Sequence, residues 1–270
     1  MYRRFRLQVA LVLSTLLWSH SAVPSSAADA KDEEAKEIAR LVQESQRSGR
    51  ERGDGVGFMA IWSHDAKLIA ARSEKPGQFD SEITYSQLEA LSRLKCGVGL
   101  PVPKDVKYEF TNVNVDISGD KAVLRYRSLL KQNGGTASTD EIYRLRKIDG
   151  KWKAYENRFW PAELRSADMT TEYNAATWEK LDAEVEKQKQ NKNVLQQTIA
   201  LLDAWRFPEA HMAAKKLTQE KKEDAVAWVV RGHAALTIAD AKDALESFKR
   251  ALQIDPKADV PPFIRDRKKD

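Results

Sequence analysis

The chain reads as an α+β unit followed by an all-α unit of helical hairpins. Three features carry that expectation. Apolar residues recur at helical spacing in the segments between residues 32 and 95. Four runs rich in β-branched and aromatic residues then follow between residues 106 and 160, with only tight-turn signals between them. From residue 166 the strand texture is lost, and helix-length apolar-periodic segments recur at an interval of 34 residues.

Composition narrows the class before any element is placed. Of 270 residues, 42% are hydrophobic and 31% charged, which argues against a polytopic membrane protein and against a disordered chain. A single cysteine, Cys96, allows neither an intramolecular disulfide nor a cysteine metal cluster. Residues 1–30 have the layout of a secretory signal peptide. Arg3, Arg4 and Arg6 form a basic start, and Leu7 to Trp18 is an apolar run too short to span ~30 Å of hydrocarbon as a helix. Ala28-Asp29-Ala30 is an A-x-A cleavage pattern, with cleavage expected between Ala27 and Ala30. The mature chain is expected to be soluble, secreted or periplasmic, with no membrane association. The formal charge of +5 owes +2 to the leader (three arginines against Asp29), leaving +3 on residues 31–270. The remaining charge is spread along the elements, which argues against a nucleic-acid partner.

Ala35, Ile38, Ala39 and Val42 predict a helix over 32–48. Gly53-Asp54-Gly55-Val56-Gly57 is not a phosphate loop, because no strand precedes it and no Lys-Ser/Thr follows. Asp54 there is expected to cap a short helix over 55–62, and Asp65 to cap the stretch Ala66 to Ala71. Ser86 to Glu89 has the S-x-x-E form of a capping box, opening a helix over 86–95 with Leu88, Leu91 and Leu94.

The strands are predicted at 106–117, 122–130, 142–148 and 152–160. Ser118-Gly119-Asp120, Asn133-Gly134-Gly135 and Asp149-Gly150 supply the turns, and Pro161 the stop. Strands joined by such short turns form an antiparallel meander. Ala122, Leu124 and Tyr126 share one face of the second strand, with Arg125 and Arg127 on the other. Arg144 and Arg146 repeat the pattern, giving either a solvated face or one that binds an anionic ligand or partner.

The order of these features resembles the NTF2-like (SnoaL-like) superfamily over residues 31–165. Helix, Gly53-Asp54, Trp62 with His64-Asp65-Ala66, a capped third helix and hairpins ending in Asp149-Gly150-Lys151-Trp152-Lys153 carry the likeness. What the resemblance implies is a cone: a curved sheet wrapped around helices, with a pocket open at one end. Members include isomerases, cyclases and dehydratases as well as proteins without catalysis. On that resemblance the pocket candidates are Trp62, His64, Tyr126, Tyr155, Glu156 and Arg158. Catalytic roles would fall to His64, Asp65 or Glu156, and a homodimer through the sheet is expected.

Residues 166–190 are expected to form a linking helix with Tyr173, Thr177, Leu181 and Val185 on one stripe. The segment 191–258 resembles two tetratricopeptide (TPR) repeats, of which the second fits better. Trp228, Gly232, Ala244, Phe248, Ala251 and Pro256 fall at its structural positions, while Arg231 and Ala235 depart from the usual residues. Residues 259–270 read as a charged tail. His211 and His233 read as surface or packing residues rather than metal ligands, and no cofactor motif is present. Two functions compete. One is an exported binding or scaffold protein, with a small ligand or partner in the cone and a protein or peptide on the TPR-like helices. The other is an isomerase, dehydratase or hydrolase working in the pocket.

Overall fold

A computed structural model describes residues 27–94, 96–97, 100–101, 107–132, 135–165, 169–261 and 264–265. Residues 1–26 of the expected leader, and Asn133-Gly134 of one expected turn, lie outside them. Helix α1 (Ala27–Arg50) is followed by α2 (Gly55–Met59), β1 (Trp62–Ala70), β2 (Ser81–Thr84) and α3 (Tyr85–Arg93). Two short strands, β3 (Cys96–Gly97) and β4 (Leu100–Pro101), pair with each other. Then come β5 (Lys107–Ser118), β6 (Lys121–Gln132), β7 (Gly135–Ile148), β8 (Lys151–Arg165) and β9 (Thr170–Glu172). Five helices close the chain: α4 (Ala175–Gln190), α5 (Val194–Asp203), α6 (Phe207–Glu220), α7 (Ala225–Thr237) and α8 (Ala241–Ile254). None of the described helices is long and apolar enough to cross a membrane.

The fold is mixed α+β. The main sheet has seven strands in the order β2-β1-β8-β7-β6-β5, with β9 on the far end of β8. The meander β5 to β8 is antiparallel. Asp149 (φ 51°) and Gly150 (φ 73°) both take the left-handed backbone that a two-residue hairpin turn requires.

Several local expectations are corrected. Residues 66–70 belong to a strand rather than a capped helix, because β1 pairs parallel to β8 and antiparallel to β2. The helix start at Ser86 moves to Thr84, whose N–H donates to Gln87 Oε1 at 2.9 Å. Pro161 does not stop β8. It sits opposite Thr139 at a register shift, where its missing N–H interrupts the ladder without ending it. The linking segment begins as strand β9, and α4 starts only after Asn174 caps it through the Thr177 N–H. The charged tail is not free at its start, since Val260 and Ile264 are buried in the core.

Alternation fills the concave face. Ala122, Leu124 and Tyr126 on β6 meet Leu145, Tyr143 and Glu141 on β7, and all six are buried. Against them α1 lays Ile38, Val42 and Gln46, a stripe at four-residue spacing. The same core cluster takes in Ala235, Leu236 and Phe248 of the C-terminal helices. There α7 and α8 approach closely: a Cβ on Gly232 would lie 2.5 Å from the Phe248 ring. Asp224 and Asp240 cap α7 and α8.

Candidate functional site

Between the end of the sheet and helices α5 to α7 lies a cavity of about 560 Å3. The sheet contributes Leu130, Ala137, Thr139, Phe159 and Leu164, and the helical side adds Leu202, Phe207 and Thr237. Trp205 closes this side. It holds a left-handed backbone (φ 54°) between α5 and α6, a costly conformation for a bulky residue. Its ring meets Phe159 edge-on at 5.8 Å and Phe207 at 5.3 Å.

Polar side chains interrupt this otherwise apolar wall, among them Arg50, Tyr108, Glu163, Asp203 and His233. Arg50 ends α1, its Nε–H donating to Gln46 Oε1 at 2.7 Å and its guanidinium lying 5.1 Å from the Tyr108 ring centroid. Burial disfavours the Arg50 charge, but Tyr108 and Glu141 outweigh it and hold the proton more tightly than usual. Burial pushes the Tyr108 hydroxyl up to about 12. Burial also raises the Asp203 carboxyl above its ordinary value and lowers His233 below its own, Asp259 opposing the latter. The His233 ring stands edge-on to Phe248.

Behind Arg50 and Tyr108 lies a second layer that does not line the cavity. Glu141 is 1% exposed. It accepts hydrogen bonds from Tyr126 (2.9 Å), Ser128 (3.0 Å) and Asn157 (3.5 Å). Tyr143 stacks on Tyr126 and accepts from Gln46. Burial, reinforced by Glu141, holds both tyrosine hydroxyls well above their usual range. The Glu141 carboxylate is thus already occupied, and no open face of it is offered to a substrate as a base.

The residues singled out from sequence scatter. Trp62 is core, with Phe58 and Tyr143 at 5.7 Å and an indole N–H without a partner among the described residues. His64 is exposed, its ring edge-on to Tyr85 at 4.8 Å. With Asp65 it borders a shallow depression of about 370 Å3, outside the cavity. Asp65 accepts two hydrogen bonds from Arg146 at 2.6 and 2.7 Å, and hydrogen bonds from Ser63 and then Arg146 lower its pKa. Tyr126 is interior. Tyr155 sits at the second register shift of β8, under Arg146. Glu156 and Arg158 pair in register with Arg144 and Ile142 on the convex face. There Glu156 meets Arg144 at 3.0 Å and Arg158 meets Asp80 at 2.6 Å, so neither reaches the cavity.

The remaining sheet arginines are neutralised too, Arg125 by Asp116 (3.1 Å) and Arg127 by Asp140 (2.7 Å). Each sheet arginine on that face thus already has a carboxylate neighbour. Sequence reasoning missed Arg50, Glu141, Asp203 and Trp205, and read His233 as a surface or packing residue. The signal existed for two of them. Arg50 continues the series Ile38, Val42, Gln46, and Glu141 shares the parity of Tyr143 and Leu145.

His211, Asp240 and Asp243 bring three ligand-type atoms within 4.8 Å of one another. Asp243 is taken by His211 (2.6 Å) and Arg231 (2.7 Å), while Asp240 caps α8. With Lys215 also at 3.9 Å, the cluster satisfies itself and repels a cation.

No protein-family model matches the chain, and neither does any curated protein. Similar solved structures, several of them called NTF2-like, align with about half of it. One is an NTF2-like protein of unknown function from Pseudomonas putida, with 16% identity over 48% of this chain and 87% of that one, TM-score 0.38. Another, from Novosphingobium aromaticivorans, carries the provisional name scytalone dehydratase. It shows 16% identity over 55% of this chain and 93% of that one, TM-score 0.40. A third, from Parabacteroides distasonis, is provisionally called a ketosteroid isomerase. It shows 18% identity over 46% of this chain and 85% of that one, TM-score 0.36.

Proposed function

We propose that this protein is an exported, non-catalytic binder of a small ligand with a mainly apolar body. One observation carries the reading: the cavity of about 560 Å3, aromatic and aliphatic on most of its wall, on which a few polar groups converge. Ligand sites of roughly 300–1,000 Å3 have this character. The leader-like residues 1–30 support action outside the cytoplasm. The C-terminal helices, TPR-like in their pattern, add a surface for a protein or peptide. Fluorescence of the neutral probe N-phenyl-1-naphthylamine tests the cavity. Wild type is expected to bind it saturably, and Ala137→Trp, which fills the space beside Leu130 and Thr139, to lose binding with its circular dichroism unchanged. Equal binding by both proteins, or none by wild type, overturns the reading.

The alternative is an isomerase or dehydratase, and one observation favours it. Asp203 and His233 share the wall, with pKa values displaced towards each other. Exchange of the α-protons of 2-tetralone into D2O, followed by NMR, separates the two. Exchange above the buffer rate that Asp203→Asn abolishes supports catalysis, and exchange at the buffer rate supports binding alone.

A further inference from the structure

Arg50 stands apart from the arginines of the sheet. Arg125, Arg127, Arg144, Arg146 and Arg158 each have a carboxylate within ion-pair distance. Arg50 has none among the described residues. Among the described residues its one hydrogen bond uses Nε and goes to the neutral Gln46. The two terminal nitrogens are left, on a residue that lines an apolar cavity. A guanidinium is a planar fork whose terminal N–H groups match the two oxygens of a carboxylate. Burying such a charge without a partner is costly, so a site that does so gains most from a ligand that supplies one.

Glu141 is the negative group that bears on Arg50 from the protein side, and it acts at a distance. Its oxygens are held by Tyr126, Ser128 and Asn157, and none of them accepts from Arg50. It stabilises the Arg50 charge without occupying its donors. The carboxylates that do line the cavity come from other elements. Asp203 belongs to α5, and Glu163 is paired with Arg165. Tyr108, whose ring lies under the Arg50 guanidinium, and Thr139 are further polar groups on the wall.

Resting on the cavity reading above, we infer that the ligand is an amphipathic organic carboxylate. Its acid group pairs with Arg50 at the α1 end of the cavity, and its apolar body lies against Leu130, Phe159 and Trp205.

Displacement of bound N-phenyl-1-naphthylamine by decanoate and by decanol at neutral pH tests this. The two share one tail and differ in the head. A charge-assisted pair predicts that decanoate displaces the probe from wild type at a concentration about tenfold or more below that of decanol. Arg50→Gln is expected to bring the two together, and Arg50→Lys to keep part of the difference. Equal displacement from wild type overturns the carboxylate inference and leaves the cavity reading standing. A preference that survives in Arg50→Gln also overturns it, because the charge would then be read elsewhere. Failure of the probe itself to bind overturns both. Should Arg50→Gln not fold, the wild-type ratio and Arg50→Lys still decide the outcome.

Discussion

Glu141 shows what burial demands of a single carboxylate. At 1% exposure, an ionised group without partners would cost several kcal/mol, and Tyr126 and Ser128 supply strong donors to its two oxygens. Tyr126→Phe leaves one oxygen short, and the expected cost is about 2 kcal/mol, read as a lower urea midpoint at unchanged slope. The tyrosines give a second readout. Burial raises Tyr108, Tyr126 and Tyr143 in the folded state. A phenol whose folded pKa is raised contributes stability that is fully present below its unfolded value, near 10, and is lost as pH climbs through the folded value. The absorbance at 295 nm is therefore expected to fall at least three chromophores short of the seven tyrosines at about pH 11, until unfolding releases them. All seven titrating together near 10 with circular dichroism intact would refute this. Neither Glu141 nor Arg50 was legible as a site residue. Each continues a buried periodic series, but a polar residue in such a series is read as its end until the partner is known. Glu141 meets Tyr126 on the neighbouring strand and Asn157 on the next.

The helices α6, α7 and α8 meet at two contacts that set the register of their packing. Gly232 admits the Phe248 ring, and a β-branched side chain there would overlap it. Gly232→Val is expected to force α7 from α8 and to cost about 1–3 kcal/mol, measured by urea unfolding. A cost near zero would show that the helices do not pack as described. Asp243 joins all three helices by accepting from His211 on α6 and Arg231 on α7. Burial opposes its ionisation, but Arg231 and His211 together hold its pKa below the usual range. A depressed folded pKa stabilises above the unfolded value, about 3.9, and that contribution is lost as pH falls through the folded one. Asp243→Asn is therefore expected to lower the melting temperature at pH 7 and to flatten its decline below about pH 4. Legibility among the elements followed length and periodicity. α1, α3 and β5 to β8 were readable because each repeats its pattern over several turns or pleats. β1 was not, since residues 66–71 are buried almost without interruption in a strand with neighbours on both sides, and such a run lacks the period of two. β2 and β9, four and three residues long, exist only through pairing with β1 and β8.

At the scale of the molecule, the sheet shares one core with α7 and α8, which a division of the sequence at residue 165 does not suggest, while α4 to α6 bury a second, smaller cluster around Val185, Leu201 and Ala210. The larger cluster runs from Ile38 and Leu88 to Leu236 and Phe248. Arg72 pins the seam. It grips both oxygens of Asp182 at 2.7 and 2.9 Å and donates from Nε to the Ala204 carbonyl at 2.9 Å. Its guanidinium stacks over Phe79 at 4.1 Å and Trp178 at 4.8 Å. Gln87 adds a bond to the Ile238 carbonyl at 3.2 Å. The hydrogen-bonded partners lie more than a hundred residues apart in sequence, so nothing local to either segment announces the contact. A shared core predicts a single cooperative calorimetric transition, with van't Hoff and calorimetric enthalpies equal. Arg72→Ala removes one side of a partly buried pair and frees the turn that carries Trp205. It should cost about 2 kcal/mol, or roughly 4–8 °C in melting temperature for a chain of this size, while keeping the transition single. Because Ala204 precedes Trp205 at the cavity wall, the same variant is expected to bind N-phenyl-1-naphthylamine more weakly than wild type. Two resolved transitions in wild type would show that the helices fold on their own. The cavity would then be a gap between independent units rather than a site built by one fold.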